Sequence, residues 1–487
     1  MAVTNTDPTS RRGRLAPFGW LTTVFAFSPA AFGAVEFVPQ VSLGVIRTDN
    51  LTLAPAGNTE AQTIYELTPS FTLSQEGPRM TSNMAYQLQS FRYDQRGQTE
   101  VFNVLDGEAR VILDPENFFM DFGASRSQAV RSPEGPALIN NFLLGGNRIN
   151  VDEAYLGPSF QYPVGGDVTL RGNYRRSAVR YDEDLQLGGF GAAQDFDEET
   201  LGLSVDNYER GRGISWRLAY DAQKADYGIF VPWEYRQARV ELGGWVGGGL
   251  RLFAAGGKES AWDRPLDPAL EDRFWEAGFS GSAGENLTAE FAVGERSFGS
   301  SRRGNLQLTF RSGSTALTYN VEPTTQGSNP YDRGGLLLPG EPDNFLARVG
   351  NAERYISKRA QWNLTISLRR SDFSVVVFDE SREQRTRLDG SVLADESQSG
   401  AYLNASWQLG ARTEIVFNAQ RIHLKLNQTN QTDERDLTTV SIGATYRLGQ
   451  RTDLSLGYSN IAEEPVLGSA GLDYVARQLS LFVTRTF

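Results

Sequence analysis

The chain has 487 residues, a net charge of -12 and no cysteine. That acidity disfavours a nucleic-acid partner. The lack of thiols excludes disulfide frameworks and thiolate metal sites, and suits transit through an oxidising periplasm.

Residues 1–33 read as a secretory signal. Arg11, Arg12 and Arg14 supply the positive region, Leu15 to Phe27 the apolar one, and Ala31-Phe32-Gly33 a small-x-small cleavage site before Ala34. Pro17, Pro29 and the shortness of the apolar run disfavour a retained anchor. Ser10-Arg11-Arg12 matches a twin-arginine signal only in part, because Arg14 replaces the expected phenylalanine. Beyond the leader no apolar run reaches about eighteen residues, which excludes a helical membrane protein. Strand-like sequence begins at Glu36, so no room is expected for an amino-terminal plug.

Ten short, turn-rich breaks follow: Gly77-Pro78, Asp114–Asn117, Pro163–Asp167, Glu209–Gly213, Gly247–Gly249, Ser282–Asn286, Ser312–Ser314, Arg370–Asp372, Gly410–Thr413 and Gly449–Asp453. Two strand-like runs and one longer polar loop lie between successive breaks. In Asn305–Arg311, Leu306, Leu308 and Phe310 share one face, with Asn305, Gln307, Thr309 and Arg311 on the other. Trp362 to Leu368, Leu403 to Leu409 and Val440 to Leu448 alternate in the same way. The runs exceed the roughly five or six residues usual in soluble strands. Aromatics near their ends (Tyr174, Trp216, Tyr220, Trp407, Tyr446) fit an interfacial girdle. A secreted β-sandwich would share the period of two but not this length or girdle.

With both termini on one side, ten short turns imply 22 strands, within a range of 18–22. The expected fold is all-β: a transmembrane antiparallel β-barrel over residues 34–487 with no plug domain. The expected location is the outer membrane of a Gram-negative-type bacterium after signal cleavage, in contact with outer-membrane lipid and lipopolysaccharide. Leu479, Leu481, Val483, Arg485 and Phe487 share a face of the last strand. The terminal Phe487 resembles the signal recognised by barrel-assembly machinery, although Arg485 stands where an apolar residue is usual.

Candidate chemistry is sparse. Arg171, Arg175, Arg217, Arg311, Arg369 and Arg447 fall on polar strand faces. Lining a pore, they would attract anions or the carboxylates of acidic sugars; paired with Asp121, Asp221 and Glu290, they would only stiffen the wall. His423 is the single histidine and has no nucleophile beside it in sequence, so no catalytic residue is assigned and no enzymatic activity is expected. The acidic stretch Tyr181 to Glu199 lacks the ordered spacing of a calcium loop. No metal or other cofactor is expected. Two long connections, Ser132 to Asn150 and Glu322 to Arg354, are apolar for surface loops, the second through Leu336, Leu337 and Leu338. Inward folding to constrict the pore, a lid, or a subunit contact would each cover them.

Gly44-Val45-Ile46-Arg47-Thr48-Asp49-Asn50, then Leu67-Thr68-Pro69-Ser70, then the paired runs Asn83 to Tyr93 and Val101 to Leu113, resemble a family of outer-membrane β-barrel porins. These are often encoded with exopolysaccharide synthesis and export genes, including loci associated with PEP-CTERM sorting. The resemblance covers about the first third of the chain and supplies no catalytic residues. It implies a channel or scaffold in exopolysaccharide export, with polysaccharide and its export apparatus as partners. A general or substrate-selective porin for small solutes is the alternative.

Overall fold

A computed structural model describes residues 34–487 except 131–139, 145–146, 183–193, 209–212, 229–231, 248, 261–272, 329–352, 387–391, 428–431 and 467–472. The expected signal, residues 1–33, lies outside the described residues.

Among the described residues, twenty-two strands follow one another along the chain. The first eight are β1 (Ala34–Thr48), β2 (Gln62–Glu76), β3 (Met80–Tyr93), β4 (Thr99–Asp114), β5 (Phe118–Val130), β6 (Arg148–Pro163), β7 (Thr169–Tyr181) and β8 (Phe196–Asp206). Next come β9 (Ile214–Asp226), β10 (Trp233–Gly247), β11 (Leu250–Glu259), β12 (Arg273–Ala283), β13 (Leu287–Arg296), β14 (Gly299–Phe310) and β15 (Gly313–Thr325). The last are β16 (Arg354–Leu368), β17 (Ser371–Thr386), β18 (Glu396–Gln408), β19 (Thr413–Asn427), β20 (Thr432–Arg447), β21 (Thr452–Pro465) and β22 (Tyr474–Thr486). All ten sequence breaks fall at the short turns between them.

Every strand pairs antiparallel with its neighbours in sequence, and β1 pairs with β22 from Gln40↔Thr486 to Thr48↔Gln478. The sheet therefore closes, leaving no edge whose N–H and C=O groups would face lipid unpaired. The seam has its own clasp. Asp49 Oδ1 accepts the Arg477 backbone N–H at 2.7 Å, and Asn50 Nδ2 donates to the Val475 carbonyl at 3.1 Å. The Phe487 backbone N–H donates to the Pro39 carbonyl at 3.0 Å at the other end.

Period-two alternation gives the wall two faces. Outward residues such as Leu43, Leu306, Leu456 and Leu481 leave about half their surface exposed, which a sandwich core would have covered. Phe37, Phe71 and Tyr86 form an outward aromatic row near the short-turn rim, with centroids 5.4 and 5.5 Å apart.

Toward the long-loop rim the pattern changes phase. Along β19, Ile415, Phe417 and Ala419 share the outward face with Arg421, His423 and Lys425 further up, while Ile422, Leu424 and Leu426 are buried on the inward face. The same exchange occurs in β20, where Ile442 is outward and exposed but Leu437 is inward and buried. Above this level the outside is charged and the inside is apolar, so the barrel projects beyond the greasy belt and something must cover its inner rim.

The strand number settles at the upper end of the expected range. Twenty-two strands enclose a lumen of the size that outer-membrane transporters fill with a plug. Chain segments enter the lumen from the long-loop rim, as described below. The expectation of a barrel with no plug domain is corrected accordingly: a short segment before β1 says nothing about what occupies so wide an interior.

Candidate functional site

The β5–β6 connection turns into the barrel. Asn140 Nδ2 donates to Gln478 Oε1 on β22 at 2.9 Å, and Asn141 Nδ2 to Gln89 Oε1 on β3 at 2.7 Å. Between β5 and β22 lie four strands, about 24 Å of wall at the usual spacing. Phe142 and Leu143 are buried among the inner-rim residues Ile46, Ile64, Phe91, Ile461 and Tyr474. The Tyr93 hydroxyl donates to the Phe142 carbonyl at 2.8 Å. Arg148 holds the strap's shape by donating to the carbonyls of Asn141 (2.6 Å), Asn140 (2.9 Å) and Leu143 (2.9 Å). Its guanidinium sits 4.9 Å over the Phe102 ring.

A second connection enters from β15. Thr324, Thr325, Gln326 and Ser328 are buried, and Thr325 Oγ1 lies 2.9 Å from the Tyr227 hydroxyl beyond β9. A Cβ on Gly327 would meet that hydroxyl at 2.7 Å and the Phe196 ring at 3.0 Å, so a larger residue would have to push the Tyr227 hydroxyl aside. Phe196, Tyr227 and Trp233 belong to the inner-rim cluster of β5 to β10. Leu336, Leu337 and Leu338 lie outside the described residues.

Below these straps the wall has two characters. From β9 to β14 it is ionic. Glu241 accepts from Arg239 at 2.8 Å, from Arg251 at 2.7 Å and from the Tyr208 hydroxyl. Arg239 also reaches Glu276, and Arg303 bridges Glu276 (3.5 Å) and Glu290. Arg251 Nε donates to Ser215 Oγ at 2.6 Å. Farther round, Glu380 binds Arg359 at 2.9 Å and Arg382 at 3.2 Å. From β18 to β22 the wall at mid-height is neutral. Asn404 Nδ2 donates to Asn418 Oδ1 at 2.5 Å, Asn418 Nδ2 to Ser441 Oγ at 3.3 Å, and Ser459 Oγ to Gln478 Oε1 at 2.9 Å.

The arginines singled out from sequence are dispersed. Arg171 pairs with Asp206 at 2.5 Å; Arg175 lies 3.5 Å from Glu153 and 3.8 Å over the Tyr155 ring. Arg217 is inward on β9, its buried Nε without a hydrogen-bond partner among the described residues. Arg447 is 3.8 Å from Asp453 at the short-turn rim, while Arg311 and Arg369 lie just past the ends of β14 and β16. Of the expected partners, Asp121 binds Arg110 (2.6 Å) and Glu290 binds Arg303 instead.

His423 faces outward above the belt, with Asp436 at 2.9 Å and Glu434 at 3.3 Å. In the acidic stretch, Asp195 accepts the Tyr181 N–H at 2.8 Å and Asp197 pairs with Arg180 at 2.5 Å. Residues 183–193 lie outside the described residues. Among the described residues no group of three or more potential metal ligands gathers. Sequence periodicity did not reveal the amide row of β18 to β22; its signal was the alignment of Asn404, Asn418, Ser441, Ser459 and Gln478, visible only once register is known.

No family model matches the chain, and no curated protein matches it. Solved structures do. A mutant of the ferric enterobactin receptor of Pseudomonas aeruginosa aligns over 93% of this chain and 81% of its own, at 13% identity and a TM-score of 0.45. The siderophore receptor PirA of Acinetobacter baumannii aligns over 92% and 80%, at 9% identity and a TM-score of 0.43. The Vibrio cholerae outer membrane protein OmpT, lacking loop L8, aligns over 93% and 99%, at 9% identity and a TM-score of 0.31. The chain has an outer-membrane β-barrel fold. The likeness extends to the fold alone; it is the strand number, one at which outer-membrane transporters hold a plugged lumen, that removes the ground for the plug-free barrel expected from sequence.

Proposed function

We propose that this barrel carries a hydrophilic polymer across the outer membrane, serving exopolysaccharide export, with the inward connections controlling passage. The observation that carries the reading is a wide, closed lumen whose mid-height wall from β18 to β22 is built of amides and hydroxyls. Porins of about 16–18 strands already leave an aqueous channel; the added width suits a polymer, and a neutral hydrogen-bonding wall lets it slide without ionic trapping. The resemblance of the Gly44–Asn50 and Leu67–Ser70 segments to exopolysaccharide-linked barrels points the same way.

A small-solute porin is the second reading, favoured by the narrowing that Asn140–Leu144 impose. Planar-bilayer recordings separate them. Polymer export predicts low conductance in the native chain, a large rise when residues 132–147 are shortened, and interruption of that current by long oligosaccharides. Steady native conductance unaffected by long chains would reject export in favour of the porin.

A further inference from the structure

The cavity under the β5–β6 strap has a composition unlike the rest of the lumen. It encloses about 360 Å³ and is lined by Asn418, Ser441, Ser459, Ser480, Gln478 and Phe482, roofed by Asn140 and Asn141. Among the described residues its only charged lining group is Glu66, and the Thr68 hydroxyl donates to that carboxylate at 2.6 Å. Gly443 leaves a trough in its wall, where a Cβ would have its nearest neighbour at 3.8 Å, and at Gly457 the Ser480 hydroxyl takes the space of a Cβ at 2.7 Å. The Phe482 ring lies flat on Gly44, where a Cβ would fall 2.1 Å from its carbons, so one ring face is covered and the ring forms an apolar floor. Gln478 is 5% exposed; its Oε1 accepts from Ser459 and Asn140, while its Nε2 is buried with no hydrogen-bond partner among the described residues. A buried, unsatisfied amide N–H costs stability unless something accepts from it.

We infer that this cavity is a binding subsite for a neutral saccharide segment. Side-chain amides and hydroxyls both donate and accept, matching the two-way hydrogen bonding of sugar hydroxyls. A flat aromatic face suits the C–H face of a pyranose ring. A saccharide hydroxyl accepting from Gln478 Nε2 would satisfy the orphan donor. With no lysine or arginine among the described lining residues, this is not an anion site, and an acidic sugar carboxylate would enter without a counter-charge and next to Glu66. The inference rests on the export reading for its physiological meaning, but saccharide binding can be measured without transport.

The test is calorimetric titration of the full chain in lipid nanodiscs with maltohexaose and, separately, with hexagalacturonate. The neutral oligomer is expected to bind more tightly than the acidic one. Asn418→Asp should weaken maltohexaose by about tenfold, as expected for losing an amide donor in the cavity wall and adding a carboxylate there. Gly443→Val, whose Cβ would fill the trough at ordinary contact distance (3.8 Å) from the Leu456 carbonyl, should do the same, while Asn305→Asp on a distant part of the wall should leave affinity unchanged. Tighter binding of the acidic oligomer, equal effects of Asn418→Asp and Asn305→Asp, or no binding of either oligomer would overturn the subsite. Bilayer conductance of the same preparations distinguishes the two ideas. A conducting barrel that ignores both sugars refutes the subsite alone; a maltohexaose-binding barrel that stays closed after the strap is shortened refutes the conduit alone.

Discussion

The wall from β9 to β14 and the wall from β18 to β22 share the same antiparallel geometry yet are satisfied by opposite chemistry. On the first, Arg239, Arg251 and Arg303 are matched by Glu241, Glu276 and Glu290, within one strand and across one or two strand spacings. On the second, Asn404, Asn418, Ser441, Ser459 and Gln478 form a row that is neutral throughout. Buried ion pairs gain little over an apolar isostere but become very costly when one partner is lost. Amide–hydroxyl contacts are individually weak and readily exchange partners. The ionic wall is therefore built to be rigid and the neutral wall to be occupied.

The largest effect should come from the ionic side. Glu241→Ala leaves Arg251 without a carboxylate and Arg239 with Glu276 alone, and should lower barrel stability by about 3–5 kcal/mol in urea unfolding from lipid, whereas Asn404→Ala should cost only about 0.5–1.5 kcal/mol. Equal costs would erase the distinction between the walls.

Next is the strap that lies against the neutral wall. Arg148→Ala leaves three carbonyls without their charged donor, at a local cost of about 1.5–3 kcal/mol in all, since water can serve the freed carbonyls. Single-channel current should rise and become noisier; unchanged current would mean that the strap does not limit the lumen.

The smallest effect lies on the rim, away from both walls. The Arg96 side-chain hydrogen bond holds the Glu60 carboxyl below the usual carboxylate range. A depressed folded value means the stabilisation is fully present above the unfolded value of about 4.3 and disappears as pH falls through the lower folded value. Amide exchange at Asp94–Gln98, corrected for intrinsic rates, should be steady from about pH 7 to pH 5 and quicken only below about pH 4. The Glu60→Gln variant should lack that acid step, and a step at the same place in both would remove the pair as its cause.

Much of this architecture is legible in sequence, and the reason is local. Turn residues and a period of two depend on neighbours in the chain, so the ten breaks and the outward placement of Leu306 or Leu456 follow without knowing which strands meet. Pairing is not local. Arg110, not one of the six singled-out arginines, meets Asp121 because β4 and β5 fix that register. Arg311 and Arg369 have the inward parity but fall past the ends of their strands, where parity loses meaning. The inward course of the straps was hidden because an apolar loop has several ways to cover itself. The phase change at Arg421–Leu426 did carry a signal: apolar residues on the inner rim require a cover from inside the lumen.

The absence of native cysteine makes the central claim directly measurable. Single cysteines placed in turn from Leu454 to Ser459 on β21, and from Gln478 to Val483 on β22, can carry spin labels in lipid vesicles. Lipid-soluble oxygen should reach labels at Leu454, Leu456, Tyr458, Leu479, Leu481 and Val483. A water-soluble nickel chelate should reach those at Ser455, Gly457, Ser459, Ser480 and Phe482, in alternation with the lipid-facing set, while Gln478 is screened from it by the strap. Loss of the alternation, or exclusion of both reagents from the Leu positions, would mean that these side chains face a protein core rather than lipid.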